Sequence, residues 1–201
     1  VNTLLKHGAD INTTNAQGVT ALHWASLKGQ VEVVNTLLKY GADINSSDTQ
    51  GVTALHYASQ EGHVEVVNTL LKHGVDINST TTKGAVALNI ASLHGHVEVV
   101  NTLLKHGADI NTPDTEGFTA LHRASLQGHV EVLNTLLKHG ADINTTTQGV
   151  TALHCASAQG HVELVNVMLN NGADINTTTI QGFTSLHYAS QKGNVEVVNT
   201  L

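Results

Sequence analysis

Apolar residues along this chain fall into two alternating patterns separated by polar stretches. In Thr53-Ala54-Leu55-His56-Tyr57-Ala58-Ser59, the residues Leu55, Ala58 and Ser59 share one side at three-to-four-residue spacing, which predicts a short helix from Thr53 to about Gln60. Thr53 stands where a hydroxyl can accept an orphan amide of the first turn, and Gly62 stands where the helix should stop. The second pattern places Val66, Val67, Leu70 and Leu71 in one apolar stripe, predicting a helix from about Val64 to His73. Glu65 in its first turn and Lys72 in its last complement the helix dipole, and Gly74 ends it. Between one helix pair and the next runs a polar tip such as Ile44-Asn45-Ser46-Ser47-Asp48-Thr49-Gln50-Gly51, dense in turn-forming residues. Neither helix is long enough to be stable alone, so stacking of neighbours must bury both stripes.

The phrase beginning Gly51-Val52-Thr53-Ala54-Leu55-His56 recurs, with its opening glycine at positions 18, 51, 84, 117, 149 and 182. The spacing is 33 residues everywhere except the 32 between Gly117 and Gly149. A fixed period of this length marks a stacked repeat array. Val1-Asn2-Thr3-Leu4-Leu5-Lys6-His7-Gly8 matches the stretch from Val34 to Gly41, so it reads as the tail of a second helix. The chain closes on Val198-Asn199-Thr200-Leu201 at the same phase. Residues 1–201 therefore read as one array of six finger units with truncated repeats at both ends, a segment of a longer array.

The pattern D-x-x-G-x-T-A-L-H-x-A-S-x-x-G-H-V-E-V-V-x-x-L-L-x-x-G-A-D-I-N resembles the ankyrin repeat over essentially the whole chain. The resemblance implies an all-α solenoid of helix-turn-helix units with β-turn fingers, its fingers and first helices lining a concave face. It implies protein partners on that face and no enzymatic activity in the repeats. Several positions depart from the family pattern. Alanine, or serine at Ser185, replaces the family's proline after the threonine, giving up about 0.4–1 kcal/mol of pre-organisation per site. The family's finger aspartate survives as Asp48 and Asp114, with Asn15, Thr81, Thr146 and Thr179 elsewhere, so finger hydrogen bonding should be uneven. The Gly84 unit carries Val86 and Asn89 where the others carry Thr and His; if that Thr and His share a hydrogen bond, changing both avoids stranding one partner. The finger at Thr145-Thr146-Thr147 is one residue short, which should displace its tip.

Composition narrows the chemistry. Hydrophobic residues make up 40% but aromatics only 3%, so the core must be aliphatic. A formal charge of −7 with nine Lys and Arg argues against nucleic acid as a partner. No apolar run is long enough to span a membrane. The single Cys155 allows no internal disulfide, and no cofactor motif appears. Fourteen histidines invite a metal, but all except His94 fall into three repeat columns. One histidine per unit per column makes a ladder with rungs about 10 Å apart. Ligands of one zinc must each lie about 2 Å from it, so metal ligation is not expected and His94 with His96 is the one pair worth watching. Cys155 occupies an ordinary first-helix position, and no G-x-S-x-G elbow or phosphate loop accompanies it.

That same first-helix position varies from unit to unit: Trp24, Tyr57, Ile90, Arg123, Cys155 and Tyr188. Trp, Tyr and Arg are the usual anchors of interfaces, so Trp24, Tyr57, Arg123 and Tyr188 are candidate partner-binding residues, joined by Phe118 and Phe183 on the fingers. The alternative is that the rings merely fill space against the next unit. The fingers also carry five N-x-[ST] sequences, at Asn12, Asn45, Asn78, Asn144 and Asn176. Either turn geometry explains these asparagines, or they are N-glycosylation sites of a secreted chain. Two functions follow. The first is a protein-binding scaffold, cytoplasmic by the habit of the family. The second is a structural array forming a rod, a spring or a fibre by head-to-tail self-association, extracellular and glycosylated on its fingers.

Overall fold

The computed structural model describes residues 7–201, and the helix tail expected over residues 1–6 lies outside them. Twelve helices alternate in two kinds among the described residues. The first helices are α1 (Ala21–Leu27), α3 (Ala54–Gln60), α5 (Ala87–Leu93), α7 (Ala120–Gln127), α9 (Ala152–Gln159) and α11 (Ser185–Lys192). The second helices are α2 (Val31–Lys39), α4 (Val64–Lys72), α6 (Val97–Lys105), α8 (Val130–Lys138), α10 (Val162–Asn170) and α12 (Val195–Thr200). The boundaries of α3 and α4 match the hydrophobic pattern, with Thr53 as N-cap and Glu65 and Lys72 at the favourable ends. The fold is an all-α repeat array. The chain divides into two compact units, one of Val1–Ala91 with Glu98–Asp109 and the other of Ser92–Val97 with Ile110–Leu201.

The core is aliphatic throughout. Leu55, Ala58, Val66, Val67 and Leu70 are buried in the first unit, and Leu121, Leu133, Leu136, Leu153 and Met168 in the second. Burying an aliphatic side chain of this size contributes about 1.5–3 kcal/mol. A stack of such residues replaces the stability that isolated nine-residue helices lack.

Each finger is a tight hairpin that hands the chain to the next first helix. In most fingers the turn spans three residues and ends on a glycine with positive φ, as Asp48 N–H donates to the Val52 carbonyl and Gly51 takes φ 73°. The finger residue before the turn decides how well it is tied. Asp48 Oδ1 accepts from the N–H groups of both Gln50 and Val52, and Asp114 and Asn15 do the same in their fingers. Thr81 accepts from Ala85 and Thr179 from Phe183, one bond each.

The shortened finger corrects the alignment by counting. Thr146 lies three residues before Gly149, but the turn closes on Thr147, whose N–H and carbonyl pair with those of Val150. Gln148 and Gly149 form a two-residue loop with φ of 50° and 77°, a geometry that needs positive φ at both central positions. The missing residue is absorbed in the turn. A Cβ on Gly149 would stand 2.6 Å from the Thr178 carbonyl oxygen. Gly149→Ala is therefore expected to destabilise the chain by about 1–2 kcal/mol, read by chemical denaturation.

Candidate functional site

The first-helix histidine column, buried at His23, His56, His122 and His154 and exposed at His187, is structural, and its geometry explains why it recurs. Each Thr N-cap pairs with the His three residues on in a reciprocal capping box at Thr20, Thr53, Thr119, Thr151 and Thr184. The backbone N–H of Thr20 donates to His23 Nδ1 at 2.9 Å and that of Thr151 to His154 Nδ1 at 3.1 Å. Because Nδ1 accepts, the ring is neutral with its proton on Nε2. That proton is donated onward: His23 to the Ser46 carbonyl at 2.8 Å, His122 to Val150 at 3.1 Å and His154 to Phe183 at 3.2 Å. One imidazole thus caps its own helix and pins the next finger. Burial pushes the pKa of His23, His56, His122 and His154 below the ordinary value, against the opposing pull of neighbouring carbonyls. Thr and His do share a hydrogen bond, so the paired change to Val86 and Asn89 removes both halves of it together.

The column after the inter-helix glycine joins neighbouring units from the other side. His63 Nε2 donates to the Leu27 carbonyl, His129 to Leu93 and His161 to Leu126, at 3.1, 3.0 and 3.2 Å. Asn194 does the same with its amide, donating to Ser157 at 2.8 Å. The rings lie where a Cβ on the preceding unit's Gly29, Gly95 or Gly128 would stand, 2.8, 2.7 and 2.8 Å from them. The third column, His73, His106 and His139, bonds its own helix end through Nδ1 and the carbonyl four residues back. His94 and His96 stack with ring centroids 6.2 Å apart. Among the described residues no group of three His, Cys, Asp or Glu side chains could hold a metal, and no helix is long and apolar enough to cross a membrane. Cys155 is buried at 4% exposure and its thiol is pushed up to about 12 by desolvation, so it carries no thiolate at neutral pH.

The variable first-helix residues split by what their finger offers. Tyr57 donates from its hydroxyl to Asp48 Oδ2 at 2.7 Å and sets its ring edge against His23. Burial, then the bond to Asp48, pushes the Tyr57 phenol up to about 12. Arg123 donates to Asp114 and to Glu116 and lies 4.9 Å from the Phe118 ring centroid. Asp48 and Asp114 are the two surviving finger aspartates, and each is taken by the variable residue nine positions later. The sequence held that signal as two pairs, Asp48 with Tyr57 and Asp114 with Arg123, in the same two units. Tyr188 is half-buried between His154 and Phe183, and Phe183 is exposed. Trp24 stands apart: its finger offers Asn15 in place of aspartate, and the indole is 51% exposed.

The sequon asparagines are all exposed, and three of them act between units. Asn12, Asn45 and Asn144 accept through Oδ1 from the backbone N–H of Asp43, Asp76 and Asp174, at 2.9, 2.9 and 2.8 Å. Asn144 also donates from Nδ2 to the Gly172 carbonyl.

Hydrogen-bonded finger-and-helix-pair units of this kind define a class of repeat proteins whose work is done on their surface. The sequence model for ankyrin repeats matches residues 1–81, 76–147 and 145–201, and the chain belongs to the ankyrin-repeat family. No curated protein sequence matches the chain. Among solved structures it is similar to the human ASB11 ankyrin repeat domain, with 30% identity, a TM-score of 0.83, and coverage of 90% of this chain and 81% of that one. Ankyrin repeats are in general protein–protein interaction modules without catalytic activity of their own.

Proposed function

We propose that the chain is a non-enzymatic scaffold that binds a protein partner on the concave side of its array, along the fingers and first helices. The observation that carries this reading is Trp24, a large aromatic side chain 51% exposed at the position that varies most between otherwise uniform units. Half-exposed Trp near the centre of a contact is a frequent hot spot. Tyr57, Arg123, Tyr188, Phe118 and Phe183 extend the surface, but Tyr57 and Arg123 also tie their fingers, so truncating them tests two things at once. Trp24→Ala is expected to weaken binding of a purified partner by roughly tenfold or more, measured by titration calorimetry, with the unfolding midpoint unchanged. Unchanged affinity would move the contact elsewhere.

The second reading is a structural array, supported by the recurrence of Val-Glu-Val-Val-Asn-Thr-Leu from residues 31, 64, 97 and 195. N-glycosylation attaches at Nδ2, which leaves Oδ1 of Asn12 and Asn45 free to keep their inter-unit bonds, while at Asn144 it would cost the bond to Gly172. Intact mass of the protein from its natural source, before and after glycosidase, tests this reading. A drop on treatment supports it and places the chain outside the cell; an unchanged mass removes the glycans.

A further inference from the structure

The residue between each second helix and its terminal glycine belongs to one exposed column: Tyr40, His73, His106, His139 and Asn171. The exposure recurs in repeats throughout the array, so it is a property of the position. His73, His106 and His139 donate from Nδ1 to the carbonyl four residues back, and Asn171 copies them, donating from Nδ2 to the Val167 carbonyl at 2.8 Å. After α10 alone the column residue is an asparagine, and the chain reads Asn171-Gly172. Every other asparagine in the sequence is followed by a residue with a Cβ: Thr after Asn12 and Asn144, Ser after Asn45 and Asn78, Ala after Asn15.

An asparagine before a glycine brings an electrophile and a nucleophile together without a catalyst. When hydroxide removes its proton, the backbone nitrogen of Gly172 can attack Cγ of Asn171. The new bond joins that nitrogen to Cγ, the bond from Cγ to Nδ2 breaks, and the leaving nitrogen takes protons from water and departs as ammonia. The product is a five-membered succinimide. Water then adds to one of its two carbonyls and opens the ring to aspartate or to isoaspartate, in which the chain runs through Cβ and Cγ. One water enters and one ammonia leaves, so no oxidant or cofactor takes part. A side chain on the second residue would crowd the attack, and glycine has none. The surroundings are open as well: even an added Cβ on Gly172 would meet nothing within 4 Å.

The closed turn holds the attack off. Asn171 sits at φ −98° and ψ 13°, and Gly172 N–H donates to the Leu169 carbonyl at 3.1 Å. The preceding repeat closes the same turn with one side chain. Asn144 donates from Nδ2 to the Gly172 carbonyl at 3.2 Å and accepts at Oδ1 from Asp174 N–H at 2.8 Å. These side-chain bonds are solvent-exposed, so opening the turn costs less than unfolding the repeat. We propose that Asn171-Gly172 is a site of spontaneous deamidation, released by opening of this turn and restrained by Asn144. The reaction damages the junction that restrains it. A carboxylate at position 171 cannot donate to Val167, and it stands at the negative end of the α10 dipole. Isoaspartate also adds Cβ to the backbone path, so the Gly172 carbonyl and Asp174 N–H no longer meet Asn144 together.

Peptide mapping by mass spectrometry of the full chain, sampled during incubation at mildly alkaline pH, tests this. The peptide carrying Asn171 is expected to gain the mass difference between a hydroxyl and an amino group, ahead of the peptides carrying Asn45 and Asn78. The same peptide should become a methyl acceptor for an isoaspartate-specific carboxyl methyltransferase used as a probe. Asn171→His, which copies the residue at His73, His106 and His139, should lose both signals and stay folded. Asn144→Asp keeps the acceptor for Asp174 N–H but lacks the donor to the Gly172 carbonyl, and should speed the mass gain at Asn171 by about 2–10-fold. Asn144→Ala, lacking both groups, is the second variant should the new carboxylate perturb the turn. No mass gain at Asn171, or gain there no faster than at Asn45 and Asn78, would overturn the site. A rate that neither Asn144 variant raises would overturn the restraint.

Discussion

Replacing His154 by alanine is expected to destabilise the chain by about 3–4 kcal/mol, measured by chemical denaturation. The imidazole is 2% exposed and serves three groups at once: the Thr151 N–H, the Thr151 hydroxyl and, through Nε2, the Phe183 carbonyl. Alanine would leave the buried Thr151 N–H without a partner, worth about 1–3 kcal/mol, take from the Phe183 carbonyl one of its two donors (Thr179 N–H remains), and open a void where the ring stood. Removing both partners is the milder change. The double variant Thr151→Val with His154→Asn copies what the Gly84 unit carries as Val86 and Asn89, and should cost clearly less than the sum of the two single variants. Additive single and double effects would show that the pair is not a unit.

Acidification below about pH 6.5 is expected to lower stability steeply, because four buried imidazoles share one requirement. His23, His56, His122 and His154 all have their pKa lowered from 6.5 in the folded chain, with burial as the largest cause. Asp48 beside His23 and His56, and Asp114 beside His122, pull the other way without reversing the direction. Above pH 6.5 the rings are neutral in both states and full stability is present. As pH falls below 6.5 toward the folded values, the unfolded chain binds more protons and stability is lost. The geometry gives the reason: a second proton on the ring would go to Nδ1, which already faces the Thr N–H as an acceptor. Urea midpoints measured at half-unit steps from pH 7.5 to 5 check the slope. A flat profile would mean that the rings accept the proton without losing their partners.

The three histidine columns show how far a repeat sequence can be read. Their phase alone separated them and argued against a shared metal, because residues one repeat apart cannot converge on one ion. What the first two columns do for a neighbouring unit was not legible, since those partners lie 23 to 36 residues away: Ser46 for His23 and Leu27 for His63. The finger pairs were half legible. Asp48 and Asp114 stood out as survivors of a family position, but their bonds to Tyr57 and Arg123 depend on the finger folding back over its own first helix. The short finger was misplaced by one residue, because counting assumes a fixed turn and Gln148 and Gly149 adopt a tighter one.

The sequence by itself determined the period, the helix pair, the caps and the aliphatic stripes, because these follow from spacings within a single unit. The tertiary structure decided which groups hold one unit to the next, and so which side chains remain for a partner. Trp24 stays half-exposed while Tyr57 and Arg123 are drawn onto aspartates. These outcomes depend on what the neighbouring repeat brings into contact, and burial is a property of neighbours rather than of the residue itself.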